Sequence, residues 1–330
     1  MKYAFIITIL FLFSTVNTKA TSLTTSQNRS KPIVKADSSY TIIIKKNIEY
    51  AKGLRHASIN SNIAQPISLL LDAYIPDNTV KNRPAMVLIH GGGFAGGSKE
   101  HKQIVKMARY FASRGWVVFS INYRLKKHKG TIPDSWQDYG KQNFENQKSN
   151  TFFSLYPANR DAKAAIRWVY ANAKSYNINT NFITVGGGSA GAVIATMLGI
   201  SAPEDYTHEI PESKDQTLSS THLDQPAKVH TIIDFWGSKV ALDVLDFIYN
   251  IKRFDATDAP ILIVHGTNDN VVKYSKAEEL KAVYQSTGVP YELYPMKGRG
   301  HGIWNSSSNG KNLFQLSFDF ITKHQHLLVN

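Results

Sequence analysis

Residues Phe182 to Gly199 read Phe-Ile-Thr-Val-Gly-Gly-Gly-Ser-Ala-Gly-Ala-Val-Ile-Ala-Thr-Met-Leu-Gly. A β-branched and apolar run, Phe182 to Val185, stops at three glycines, and after Ser189 an apolar run long enough for a helix begins. The pattern predicts a strand, a sharp turn and a buried helix. At the turn, Gly187-Gly188-Ser189-Ala190-Gly191 puts glycine where the chain reverses with strained dihedrals and where the helix must approach too closely for Cβ atoms beside the serine. Ser189 then stands at a helix N-terminus, whose free N–H groups favour developing negative charge. A five-residue match of this composition arises by chance in about one chain in ten. Alone it is equally a glycine-rich turn, and the rest of the chain decides.

At the start of the chain, Lys2 precedes an apolar run from Tyr3 to Phe13 and a polar stretch ending Thr18-Lys19-Ala20. This is the layout of a secretory signal peptide removed after Ala20, since the apolar run is shorter than the roughly 20 residues a membrane span needs. The expectation is an exported protein, secreted or periplasmic, with no stable membrane span. With no cysteine in the chain, neither disulfides nor a cysteine-linked lipid is available, and stability rests on the core. The formal charge of +13 drops by two when Lys2 and Lys19 leave. The remaining basic residues are scattered, with only Lys126-Lys127-His128-Lys129 clustered and no nucleic-acid-binding motif beside them. They read as a solvated surface, not a nucleic-acid interface.

Residues 21–39, rich in Ser, Thr, Asn and Lys, read as a disordered lead-in. Residues 40–330 then read as one domain, large enough to bury most of its apolar surface. Strands are predicted at Tyr40–Ile44, Ile67–Ile75, Arg83–His90 and Trp116–Ile121, with a helix from an Ser98 cap to Ser113 ended by Gly115. Lys126 to Pro157 is polar with scattered aromatics and no clear period. Asn159–Asn172 is an amphipathic helix, and Ser201–Gln225 is polar and acid-rich. Strands at Val229–Trp236, Pro260–His265 and Pro290–Met296 alternate with helices at Lys239–Asn250, Val272–Ser286 and Gly310–His324. Such alternation argues a mostly parallel, doubly wound α/β sheet with helices on both faces, carrying inserted segments at about 126–157 and 201–226.

Acyl transfer by a serine requires an imidazole to take its proton, an acid to hold the imidazole, and N–H donors for the oxyanion. In a doubly wound sheet these come from loops at the carboxyl ends of strands. His90-Gly91-Gly92-Gly93 directly follows the first buried strand, and consecutive glycines expose N–H groups to a carbonyl without side-chain obstruction. The Ala190 N–H is a further donor. His90 itself reads as a brace for that loop. Asp269 lies in the turn after the strand Ile261 to His265. It is a candidate acid or merely a helix cap, with Asp234 on the preceding strand as the other candidate acid. Three histidines follow Asp269: His301, His324 and His326. His301 lies in the flexible loop Lys297-Gly298-Arg299-Gly300-His301-Gly302, whereas the other two ride on the last helix. His265 reads as a buried packing histidine.

These segments, with Asn122-Tyr123-Arg124-Leu125 and Pro157-Ala158-Asn159-Arg160-Asp161-Ala162-Lys163-Ala164-Ala165-Ile166-Arg167-Trp168, resemble the hormone-sensitive-lipase and feruloyl or acetyl esterase-like branch of the α/β-hydrolases over about residues 70–325. The resemblance implies the α/β-hydrolase fold and a serine carboxylic-ester hydrolase that forms an acyl-enzyme. It implies Ser189 as nucleophile, His301 as base, Asp269 as acid, and the Gly92, Gly93 and Ala190 amides as oxyanion hole. The expected partner is a small-molecule ester: a short-chain acyl ester, an aryl ester, an acylated sugar or a lipid. No cofactor or metal is called for, because no Cys, His and carboxylate cluster has metal-site spacing and the glycine stretches lack the Lys-Ser/Thr of a phosphate loop. A serine peptidase of the same fold and a catalytically silent binding protein stand as alternatives. Two departures are visible. Members of the branch often carry an acidic residue before the serine, where this chain has Gly188, and residues 21–39 are poor material for a cap over the acyl pocket.

Overall fold

Met86, Val87, Leu88 and Ile89 are all fully buried, and they face alternately into two different cores. Val87 and Ile89 belong to one apolar cluster, Met86 and Leu88 to the other. A strand can be apolar on both faces only when both are covered. The computed structural model shows how. It describes residues 31–144 and 151–330. The predicted signal peptide lies outside the described residues.

The strands are β1 (Ile33–Val34), β2 (Ile42–His56), β3 (Ala64–Pro76), β4 (Arg83–Ile89), β5 (Val117–Ile121), β6 (Ile178–Gly188), β7 (Thr231–Phe235), β8 (Ile261–Gly266), β9 (Tyr291–Met296), β10 (Ser307–Ser308), β11 (Lys311–Asn312) and β12 (Leu328–Val329). Eight of them form one sheet in the order β2-β3-β5-β4-β6-β7-β8-β9. The β2–β3 and β3–β5 pairs are antiparallel, and β5 onward is parallel. One face carries α1 (Lys102–Ala112), whose Ile104, Met107, Ala108 and Phe111 point into the sheet at helical spacing. The helices between are α2 (Asp134–Asn143), α3 (Leu155–Asn172), α4 (Ala190–Ile200), α5 (Val240–Tyr249) and α6 (Ser275–Thr287). They feed the opposite core. The last, α7 (Leu313–His324), joins α1 on its face. This is the α/β-hydrolase architecture.

Four sequence expectations are corrected. The supposedly disordered lead-in contains β1, which pairs in parallel with β12, so residues 33–34 are held by the far end of the chain; residues 21–30 lie outside the described residues. The first strand of the sheet runs on to His56, because two bulges, at Lys45/Ile48 and Glu49/Ala51, let it continue past a Lys-Lys-Asn stretch that breaks the alternation. Segment 126–157 contains α2, which rests on buried Trp136 and Gly140 at i and i+4. Lastly, α3 starts four residues before Asn159, with Pro157 in the first turn, where its missing N–H costs nothing.

The polar side of α3 is covered as well. Arg160, Asp161, Lys163 and Arg167 are all nearly inaccessible. The Arg124 guanidinium binds both oxygens of Asp161, the nearest at 2.6 Å. Arg160 meets Asp215 at 2.8 Å, and Thr131 donates to the same Asp215 at 3.1 Å. Both inserted segments are therefore tied to α3 through one carboxylate. Leu71, Ile121, Ile89 and Gly187 form one row across the sheet. From that row the β2–β3 hairpin runs on past the carboxyl edge to His56, an overhang of about 25 Å. Arg124 also donates to Leu54 O at 3.2 Å, passing so close to Gly53 that a Cβ there would lie 2.6 Å from its Nε. Hairpin, inserts and α3 make one fixed wall, with a cleft of about 600 Å³ between the hairpin tip and the inserts.

Candidate active site

Where β6 ends, the backbone reverses through Ser189 with φ 57° and ψ −123°, a region non-glycine residues rarely occupy. Strain of this kind costs on the order of 1–3 kcal/mol and persists only when neighbours impose it. Here the neighbours are close. A Cβ at Gly187 would lie 2.4 Å from Ile89 O, and one at Gly191 would lie 2.2 Å from the same oxygen. Ser189 N donates to Phe235 O at 2.9 Å. The serine occupies the N-cap position of α4 without a side-chain capping bond and is partly exposed.

The structure brings Ser189, His301 and Asp269 into one hydrogen-bonded chain. Ser189 Oγ lies 2.9 Å from His301 Nε2, and His301 Nδ1 lies 2.7 Å from Asp269 Oδ2. Because an ionised carboxylate only accepts, Nδ1 carries the proton in the neutral ring, leaving Nε2 free to take one from Ser189. The loops bearing acid and base are stitched together. Asn268 N donates to Arg299 O at 2.8 Å and Thr267 N to Met296 O at 3.1 Å, while a Cβ at Gly266 would strike Gly300 O at 2.3 Å.

Asp269 faces His301 and caps the turn after β8, not the helix α6, whose N-cap position is Tyr274. Its Oδ1 accepts from Val271 N and Val272 N at 2.8 and 2.9 Å, capping the turn, while Oδ2 faces His301. Burial pushes the carboxyl up, but the His301 hydrogen bond and the two amides outweigh it and hold the group below the usual carboxylate range. Asp234, the other candidate acid, faces elsewhere: it accepts from Thr196 Oγ1 at 2.9 Å and Gly237 N at 2.8 Å. Complete burial pushes its carboxyl up despite those donors. His265 is fully buried, with Nε2 2.7 Å from Val272 O and 3.4 Å from Asp269 Oδ2. The packing histidine thus also abuts the acid. His324 lies at the end of α7, 3.9 Å from Glu292, and His326 lies beyond it.

The glycine loop after β4 comes to the same place. A Cβ at Gly91 would lie 3.4 Å from Ser189 Cβ. Gly92 and Gly93 take φ of 117° and 59°, and the Gly92 carbonyl is turned back to accept from Ala95 N and Gly96 N at 3.0 and 3.1 Å. Among the described residues, the amides of Gly92, Gly93 and Ala190 have no backbone partner. His90 braces this loop: its Nδ1 lies 2.7 Å from Gly91 O, and burial drives the imidazole down to about 4.

Two tryptophans escape notice in the sequence. A Cβ at Gly188 would lie 2.9 Å from Trp304 Cζ2 and 3.0 Å from Trp236 Cζ2. The indoles meet edge to face at 5.0 Å, and Trp236 stands 6.3 Å from the His301 ring. The absence of an acidic residue before the serine is thereby explained: its space is filled. Among the described residues, no group of three His, Cys, Asp or Glu is arranged to hold a metal ion, and no helix is long and apolar enough to cross a membrane.

The family model described as BD-FAE matches residues 71–142 and 147–247. Esterase LipC of Mycobacterium tuberculosis is 25% identical over 256 residues, covering 71% of this chain and 57% of LipC. A probable isoprenylcysteine alpha-carbonyl methylesterase of Oryza sativa is 24% identical, covering 70% of this chain and 54% of the relative. The chain thus spans little more than half the length of these curated relatives. Among solved structures, a propionate-bound esterase of Thermogutta terrifontis superposes with a TM-score of 0.57 at 22% identity, over 82% of this chain and 94% of that one. Esterase 2 of the same organism, phosphonylated by cyclosarin, gives 0.58 at 23%, over 86% and 94%. At these identities the likeness is one of fold.

Proposed function

The chain belongs to the BD-FAE family, and from that membership we propose that it is a serine carboxylic-ester hydrolase working through an acyl-enzyme. The observation that carries the reading is the continuous chain Ser189 Oγ, His301 Nε2, His301 Nδ1, Asp269 Oδ2 at hydrogen-bond distances. The esterase names of the relatives support it.

In the first half-reaction Ser189 Oγ attacks the ester carbonyl while its proton passes to His301 Nε2. The carbonyl oxygen becomes an oxyanion within reach of the Gly92, Gly93 and Ala190 amides, and the imidazolium is stabilised by the ionised Asp269. His301 then returns the proton to the departing alcohol, leaving the acyl group on Ser189. Water deprotonated by the same nitrogen attacks the acyl carbon, the bond from that carbon to Ser189 Oγ breaks as Oγ takes the proton back from His301 Nε2, and the carboxylic acid leaves. No cofactor takes part. The substrate is a small-molecule ester with a short acyl or aryl group, and the protein acts outside the cytoplasm once its signal peptide has been removed.

Purified protein should hydrolyse p-nitrophenyl acetate or butyrate with an acyl burst and take a covalent label from a fluorophosphonate. Both should vanish in Ser189→Ala. Absence of turnover and labelling in the wild type would sink the reading, and labelling that survives Ser189→Ala would move the nucleophile elsewhere.

A further inference from the structure

The glycine loop and the residues after it are held by the end of β5 and the stretch that follows it. Ser120 Oγ donates to Lys99 O and Asn122 Oδ1 accepts from Lys99 N, both at 2.7 Å. Lys126 N donates to Phe94 O at 2.7 Å. Tyr123 differs from these because it grips the loop twice. Its hydroxyl donates to His90 O at 3.0 Å, and its ring stacks on the His90 imidazole with centroids 4.4 Å apart and planes 16° from parallel. Both residues are buried, at 3% and 1% exposure.

His90 in turn sets a peptide plane. A carbonyl oxygen only accepts, so the 2.7 Å contact between His90 Nδ1 and Gly91 O places a proton on Nδ1. The Gly91 carbonyl and the Gly92 N–H belong to one planar trans peptide and point in opposite directions. Holding the carbonyl therefore aims the N–H. The packing leaves little slack, since a Cβ at Gly97 would lie 2.4 Å from both His90 Nδ1 and Gly91 O.

We propose that Tyr123 is a positioning residue for ester hydrolysis: it fixes His90, which fixes the Gly91–Gly92 peptide so that the Gly92 N–H faces the developing oxyanion. This rests on the ester-hydrolase reading above. The Tyr123 hydroxyl acts through His90, while its ring also meets Phe94 of the loop edge to face, with centroids 6.4 Å apart. Its hydroxyl stays a donor because burial pushes the phenol up, and the His90 ring stays neutral because burial pushes it down to about 4. Since the oxyanion forms only in the transition state, the contribution belongs in kcat and not in substrate binding.

Tyr123→Phe keeps the stacked ring and removes only the hydroxyl. The expected result is a kcat on p-nitrophenyl acetate lower by about tenfold, with KM within about twofold and a thermal midpoint within about 2 °C of the wild type. His90→Ala should lose more, and adding Tyr123→Phe to it should cost nothing further, because both act on the same peptide. Hydrogen–deuterium exchange across residues 90–97 should quicken in Tyr123→Phe. A rise in KM with kcat retained, additive losses in the double variant, or unchanged exchange in the loop would each overturn the proposal. Exchange is read without turnover, so a wild type that hydrolyses no ester would defeat the functional reading while the hold of Tyr123 on the loop is still measured.

Discussion

Asp269 and Asp234 stand at the ends of adjacent strands, and their surroundings assign them different work. Asp269 offers one oxygen to two amides and the other to His301, and is held in the ionised range. Asp234 is completely buried, pushed toward its neutral form, and spends its oxygens on Thr196 and Gly237. We expect Asp269→Asn to lower kcat by about 10³- to 10⁴-fold with little change in stability, since it removes the partner of the imidazolium. Asp234→Asn should keep kcat within a few-fold and lower the unfolding midpoint by leaving Thr196 or Gly237 with a poorer partner. Paired kinetics and thermal melts decide it, and a larger kcat loss in the Asp234 variant would exchange the roles. A second contrast concerns Gly188. An aspartate there would push into Trp304 and Trp236, and through Trp236 into His301. Gly188→Asp should cut activity strongly, and adding Trp304→Ala should restore part of it. No recovery in the double variant would show that the indoles are not the obstacle.

The helix α3 carries the clearest element-scale lesson. Its spacing of Ala162, Ala165, Ile166 and Val169 announced one buried face, but Arg160, Lys163 and Arg167 on the other side also read as solvent-facing and are not. Pattern counts hydrophobic residues and cannot tell a charge in water from one buried against a distant carboxylate, as Arg160 is against Asp215, or against distant carbonyls, as Lys163 and Arg167 are against Ala202 and Tyr206. The same blindness hid α2 and the long extension of β2, where bulges and polar stretches break the period. The site was more legible than its walls. Ser189, Asp269, His301 and the glycine loop each sit just past a strand end in a fixed order, and that depends on topology, which alternation reveals. Trp236 and Trp304 were not legible because nothing local ties them to residue 188. Since Arg124 and Asp161 are both buried, Arg124→Met should destabilise the fold by about 3–5 kcal/mol by stranding the carboxylate. Arg124→Met with Asp161→Leu should recover much of that loss. Denaturant titration tests it, and equal losses in single and double variants would show that packing, not charge, dominates.

For the molecule as a whole, one buried and two half-buried histidines shape the response to acid. His90, His128 and His230 are all pushed down to about 4, chiefly by burial. Unfolding releases each to its ordinary value of about 6.5, so between those limits the unfolded chain binds more protons and stability falls as the pH falls. Asp258, pushed up to about 7 by burial, works in the opposite sense over much of that range. His324 is shifted in the same sense as the three histidines, and Asp234 and Asp246 in the same sense as Asp258. With four groups against three, the guanidinium midpoint should fall from pH 6.5 to pH 4.5, and a flat or rising midpoint would contradict the assignment. Acid thus presses on the fold as well as on the brace of the glycine loop. The opposite end of the molecule permits a different experiment. β1 and β12 lie side by side, with Leu328 N bonded to Pro32 O at 3.1 Å and Asn330 N to Val34 O at 3.0 Å. A bridge of about six residues from Asn330 back to Lys31 would close this part of the chain into a ring without straining either strand. New termini could then be opened in the exposed turn at 77–82. In such a circular permutant the glycine loop, the turn at Ser189, Asp269 and His301 would keep both their places on the sheet and their relative order along the chain.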